Sequence, residues 1–137
     1  MNTQKANILI VDDHEAIRFL LGLTLRNNFN VVVKKDGLEA LAWLSAGNIP
    51  DLIMLDMQMP RLNGIEFLKQ IRTSGMFRDI PVLLVSANGN HEDIAASYGL
   101  GIVDFIRKPF NPVTLNEKVL NALNQSTMYR GQLAVYN

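Results

Sequence analysis

The sequence predicts an α/β fold in which a parallel five-stranded sheet is covered by helices on both faces. Three observations predict it. Short, largely apolar runs of three to five residues recur, segments with helical spacing separate them, and helix-start signals stand before several of those segments. The first run is NILIV, Asn7 to Val11. A run this short with no polar alternation reads as a strand covered on both faces. The helical segment after it carries Ile17, Leu20, Leu21, Leu23 and Leu25, expected on one inward side. VVV, Val31 to Val33, is a weaker second strand. Asp36 followed by Glu39 makes a capping-box pattern before a second helix with Leu38, Leu41, Ala42 and Leu44.

LIML, Leu52 to Leu55, is the third strand. Asn63 and Gly64 open a third helix marked by Ile65, Phe67, Leu68 and Ile71. VLLV, Val82 to Val85, is the fourth strand, and Asn90 with Asp93 suits the start of a short helix from Asn90 to Tyr98. IVDFI, Ile102 to Ile106, is the fifth. Asn111 and Pro112 then supply an N-cap and a proline at the first helical position, ahead of Val113, Leu115, Val119, Leu120 and Leu123. Strands alternating with helices imply right-handed crossovers and a doubly wound, three-layer sandwich. Residues 1–124 form one domain. The stretch NQSTMYRGQLAVYN breaks the pattern with Gly131 and polar residues, and residues 125–137 read as a loose tail or linker.

Composition narrows the function. A chain of 137 residues suits one domain, and 48% hydrophobic against 19% charged residues is the balance of a folded globular protein. Thirteen basic residues offset thirteen acidic ones, so no global field favours nucleic acid or an anionic membrane. There is no cysteine, which excludes disulfides and thiolate metal sites. No secretory leader and no long apolar span appear, so a soluble, cytoplasmic protein is expected.

In a doubly wound sheet, ligands bind beyond the carboxyl ends of the strands. There the sequence collects chemistry: Asp12 and Asp13 follow the first strand, Asp56 ends the third, Ser86 ends the fourth, and Lys108 follows the fifth. Three crowded carboxylates repel and raise one another's pKa unless a cation neutralises them. Mg²⁺ suits such a site, being held by one or two carboxylates, waters and phosphate oxygens. Ca²⁺ would call for an EF-hand loop, and Zn²⁺ for more nitrogen or sulfur than His14 and His91 offer. Lys108 adds an ammonium and Ser86 a hydroxyl. Around one carboxylate, these make a cradle for a phosphoryl group and the carboxylate a nucleophile forming an aspartyl phosphate.

At this point the chain resembles a response-regulator receiver domain of two-component phosphorelay signalling. The match rests on IVDDH at Ile10 to His14, LDMQMPRLNG at Leu55 to Gly64, VSAN at Val85 to Asn88 and FIRKPF at Phe105 to Phe110, and it spans roughly Asn7 to Leu123. The resemblance implies a flavodoxin-like (βα)5 fold with strand order 2-1-3-4-5. It implies Asp56 as phosphoacceptor, with Mg²⁺ held by Asp13, Asp56 and the Met57 backbone carbonyl, and by Asp12 through water. Lys108, Ser86 and the Ala87 backbone N–H would receive the phosphoryl oxygens, and the peptide bond before Pro109 would be cis. Gln58 and Asn88 fall where the family tunes phosphoryl lifetime.

The resemblance further implies a switch. Ser86 would move toward the phosphoryl group and Phe105 would rotate inward, reshaping the face of helix 4, strand 5 and helix 5. Phe105 departs from receivers that carry Tyr there, since it lacks the hydroxyl. The expected donor is a sensor histidine kinase or a histidine phosphotransfer protein, and the reader is an effector protein, with a homodimer through the same face compatible with the family. No direct nucleic-acid or membrane partner and no turnover enzyme activity beyond self-phosphorylation and dephosphorylation are expected. Two alternatives stand beside this: a phosphorylation-independent docking module, and a Mg²⁺-dependent phosphotransferase acting on small molecules. Trp43 and the methionines Met54, Met57 and Met59 read as packing or loop residues, and His14 as the residue that begins or caps the first helix.

Overall fold

The structure, a computed structural model, describes residues 5–87 and 91–136, with side chains at 5–87 and 93–125. Ten elements alternate: β1 Asn7–Val11, α1 Glu15–Leu25, β2 Asn30–Lys34, α2 Gly37–Ser45, β3 Leu52–Asp56, α3 Gly64–Arg72, β4 Val82–Ser86, α4 His91–Gly99, β5 Ile102–Arg107 and α5 Pro112–Tyr136. All strand pairs are parallel, in the order β2-β1-β3-β4-β5. This is the flavodoxin-like order implied above.

The strands explain their own composition. Successive side chains on a strand face opposite sides. Leu9, Val11, Ile53, Leu55, Val82 and Leu84 pack with Leu44 of α2, Phe67, Leu68 and Ile71 of α3 and Ile94 of α4. The alternate set, Ile8, Ile10, Leu52, Met54, Leu83 and Val85, packs with Leu21 and Leu25 of α1 and Leu115 and Val119 of α5. Both faces are therefore covered, so no strand position in β3 or β4 is free to be polar until the last residue. Edge strand β2 is only half-buried, which accounts for its weaker signal.

Several expectations change. Leu20 and Leu23 on α1, Leu38 and Ala42 on α2, and Val113 and Leu120 on α5 face solvent rather than the core. Helical spacing identifies a helix but not the width of the stripe its neighbours cover. The Asp36 carboxylate caps α2 by accepting from the Glu39 N–H at 2.8 Å, yet Glu39 returns to the Lys35 N–H instead of closing a full box. The full capping box is at α3, between Asn63 and Glu66. Helix α4 begins at His91, and the Asn90 cap lies outside the described residues. Helix α5 runs on to Tyr136 through the stretch expected to be loose, Gly131 included. That stretch contains no proline, and one interior glycine costs a helix only about 1 kcal/mol.

Candidate functional site

The carboxyl edge of the sheet is built by the chain leaving its strands. Asp12 extends the β1 ladder by one bond, donating its N–H to Lys34 O at 3.2 Å, and Asp56 is the last residue of β3, in register with Val85. Both carboxylates are therefore held by ladder geometry, and both are buried, at 1% and 3% exposure. Lys108 reaches them from beyond β5. Its backbone N–H donates to Ser86 O at 2.8 Å, which fixes it beside the end of β4. Its Nζ lies 2.9 Å from Asp12 Oδ2 and 3.5 Å from Asp56 Oδ1. The Lys108–Pro109 peptide bond is cis.

Tight backbone packing sets the loop after β3. The Gly64 N–H donates to Met57 O at 2.8 Å, and a Cβ at Gly64 would stand 2.8 Å from both Asp56 O and Met57 Cα. Only glycine lets α3 begin this close to Asp56. Arg61 takes a left-handed conformation at φ 68, and its guanidinium pairs with the buried Asp36 at the start of α2. Gly37 in turn lies against Leu62 of the same loop. The loop beneath Asp56 is thus clamped from two sides.

Asp12, Asp13, His14 and Asp56 each bring a ligand atom within 4.8 Å of the others. Asp56 Oδ1 accepts from the Gln58 N–H at 3.4 Å, whereas Asp56 Oδ2 and Asp13 Oδ1 are buried without a hydrogen-bond partner among the described residues. The Asp56 carboxyl is pushed up to about 6, first by burial, then by the Asp12 charge and by the adjoining Asp13 carboxyl, while Lys108 and the Gln58 N–H pull the other way. A buried oxygen with no donor, facing two more acids, fits a divalent cation. The donor set suits Mg²⁺, and the chain's own Lys108 offsets only part of the charge.

Ser86 is buried at the end of β4, and Ala87 follows it at the surface. Asn88 lies outside the described residues. Gln58 is exposed, and its backbone N–H bears on Asp56. Phe105 does not join the acid cluster. It is half-buried on edge strand β5, with Lys118 Nζ 5.7 Å and Arg107 Cζ 5.8 Å from its ring centre. Lys118 also bonds Asp104 Oδ2 and Phe105 O.

His14 begins α1, as expected. It occupies the N-cap position of α1 but its side chain makes no capping bond. Its ring turns toward the acids, with Nδ1 3.1 Å from Asp13 Oδ1, 3.3 Å from Asp12 Oδ1 and 4.0 Å from Asp56 Oδ2. The available signal was its place directly after two acids at a strand end, where a residue starting a helix overhangs the sheet edge.

Comparison with known proteins gives a consistent result. The family model described as the response regulator receiver domain matches residues 8–120. An uncharacterized transcriptional regulatory protein of Bacillus subtilis (strain 168), YcbL, is 34% identical over 130 residues, covering 95% of this chain and 56% of that protein. The chemotaxis protein CheY4 of Vibrio cholerae superposes with TM-score 0.80 at 31% identity, covering 86% of this chain and 98% of that one. NtrX from Brucella abortus superposes with TM-score 0.88 at 30% identity, covering 96% of this chain but 30% of NtrX. The chain spans about half the length, or less, of the curated relatives it matches, from 32% to 56% of the first three.

Proposed function

The chain belongs to the response regulator receiver domain family, and on that premise we propose that it accepts a phosphoryl group on Asp56 and signals through the resulting change in charge. One observation carries the reading. Asp56 is buried at the end of β3 with one carboxylate oxygen lacking a hydrogen-bond partner among the described residues, beside two further acids and within 3.5 Å of Lys108. An orphaned buried carboxylate is costly in a resting protein and useful in one that reacts there.

The step is a phosphoryl transfer. An Asp56 oxygen bonds to phosphorus as the bond to the donor, an imidazole nitrogen of a phosphohistidine or the oxygen of an acyl phosphate, breaks and the leaving group takes the electron pair. Asp13, Asp56 and the Met57 carbonyl, with Asp12 through water, would hold Mg²⁺, which when bound neutralises charge on the acids and phosphoryl oxygens. Lys108, already within reach of Asp12 and Asp56, exchanges carboxylate contacts for a phosphoryl oxygen. Ser86 and the Ala87 N–H receive the others.

The reading extends to a histidine kinase or histidine phosphotransfer protein as donor and a protein effector as reader. The cytoplasm is the compartment, and residues 1–124 are the receiver body, with 125–137 as tail or linker. Among the described residues no helix is long and apolar enough to cross a membrane. Ser86 displacement and Phe105 rotation would transmit the signal to the face of α4, β5 and α5, where Phe105 is flanked by two cations. The test is intact-mass spectrometry after incubation with acetyl phosphate. One labile phosphoryl adduct is expected with Mg²⁺ and none in its absence or in Asp56→Asn. No adduct, under conditions that label an established receiver, would overturn the proposal in favour of a docking module.

A further inference from the structure

Four side chains, not three, converge at the acidic edge, and the fourth is a nitrogen donor. We infer that His14 is a direct ligand of the divalent ion held there, so that the site prefers Mn²⁺, Co²⁺ or another nitrogen-accepting ion over Mg²⁺. This rests on the acidic edge being the divalent-ion site of the proposed function.

The geometry carries it. An octahedral ion with bonds of about 2.0–2.2 Å holds neighbouring ligand atoms roughly 2.8–3.1 Å apart and opposite ones roughly 4.0–4.4 Å apart. His14 Nδ1 lies 3.1 Å from Asp13 Oδ1, 3.3 Å from Asp12 Oδ1 and 4.0 Å from Asp56 Oδ2. The Asp13 and Asp56 spacings are an edge and a diagonal of one octahedral shell, and the longer Asp12 spacing suits a carboxylate that acts through water. Asp56 Oδ2, in a side chain 4% exposed, has no hydrogen-bond partner among the described residues and is aimed into the same space. The ring is held there by its backbone, since the His14 N–H donates to Asp12 Oδ1 at 2.9 Å. The imidazole itself is 63% exposed and packs in no core, so its direction is set by the acids it faces, Asp12 and Asp13, at contact distances that a shared cation would also impose.

The chemistry then sets the preference. Mg²⁺ favours oxygen and gains little from imidazole, whereas affinity for nitrogen-containing sites rises from Mn²⁺ through Co²⁺ and Ni²⁺. A receiver with this set would take the more nitrogen-accepting ion whenever both are available.

The test measures binding of Co²⁺ and Mg²⁺, each alone, by calorimetry on the wild type and His14→Ala, and records the electron spin echo of bound Mn²⁺. Loss of the exposed ring should leave the fold intact. Co²⁺ affinity is expected to fall about tenfold in His14→Ala while Mg²⁺ affinity changes by less than about twofold. The Mn²⁺ echo should carry nitrogen modulation in the wild type and lose it in the variant, which retains His91 as an internal control. An unchanged ratio of Co²⁺ to Mg²⁺ affinity, with no nitrogen modulation, would overturn the inference and leave the Mg²⁺ reading standing. Failure of the wild type to bind either ion would overturn both.

Discussion

Two charges, half-buried Arg72 and buried Asp56, sit at opposite ends of the sheet and are treated in opposite ways. At the amino edge, Arg72 on the last turn of α3 donates from Nε to Leu100 O at 2.7 Å, from Nη1 to Arg78 O at 2.9 Å and Ile80 O at 2.8 Å, and from Nη2 to Gly101 O at 3.2 Å. Each of its nitrogens is used, and it ties the connection before β4 to the one before β5. At the carboxyl edge, Asp56 keeps an oxygen with no donor among the described residues and shares its space with two acids. Burial pulls the Arg72 guanidinium down and pushes the Asp56 carboxyl up, so both charges cost the fold something. The difference lies in satisfaction. The chain completes the hydrogen bonds of Arg72, and at Asp56 it leaves among the described residues the open oxygen that the proposed phosphoryl transfer calls for.

Arg72→Ala should break the comparison at its structural end with the largest effect. It strands several carbonyls that the loops cannot easily re-partner, and a loss of about 3 kcal/mol in urea unfolding is expected. Acetyl phosphate labelling should persist in the folded fraction. Arg72→Lys should recover less than half, because one ammonium cannot reproduce the planar fork.

At the reactive end the sign reverses. The folded-state pKa of Asp56 is raised from 3.8 to about 6, so between those values the native protein binds the proton that the unfolded chain has released. Stability contributed by this group is present below about pH 4 and is lost as pH rises through about 6. Without divalent ions, Asp56→Asn should therefore be more stable than the wild type at pH 7.5 by about 2 kcal/mol, with the advantage shrinking toward pH 4. Urea unfolding at several pH values in EDTA checks this. Saturating Mg²⁺ should narrow the gap by stabilising the wild type alone.

A smaller effect sharpens the account of the loop between these ends. Arg61→Ala removes the partner of buried Asp36 but leaves its capping bond to Glu39, and a loss of about 1 kcal/mol is expected. The same change should slow phosphoryl labelling modestly, since the loop under Asp56 loses one of its clamps. Equal labelling rates in the two proteins would show that Gly64 packing suffices to position Asp56.

Much of this was legible in the sequence because both sheet faces are covered. Runs such as LIML and VLLV are apolar without alternation only when neither side meets water, and they end where Asp56 and Ser86 begin the reactive edge. Asp12, Asp13, Asp56 and Lys108 could be placed together because parallel strands bring all their carboxyl ends to one edge. The rest depends on tertiary neighbours. No pattern near Arg72 announces that its guanidinium will meet carbonyls of residues 78 to 101. Nor does spacing reveal that Leu20, Leu23 and Leu120 fall outside the stripes covered by the sheet. His14 was read from its neighbours in the chain as a helix start, which it is, but that its ring also comes within 4.0 Å of Asp56, 42 positions away in sequence, depends on the β1–β3 pairing.

The most direct test of the central claim is to locate the covalent bond. The protein is treated with acetyl phosphate and Mg²⁺, reduced with borohydride, digested and mapped by tandem mass spectrometry. The account predicts homoserine at position 56 alone, since an aspartyl phosphate is reduced there and a free carboxylate is not. Homoserine at Asp12 or Asp13, or a stable phosphoryl group on His14 with Asp56 unreduced, would contradict it.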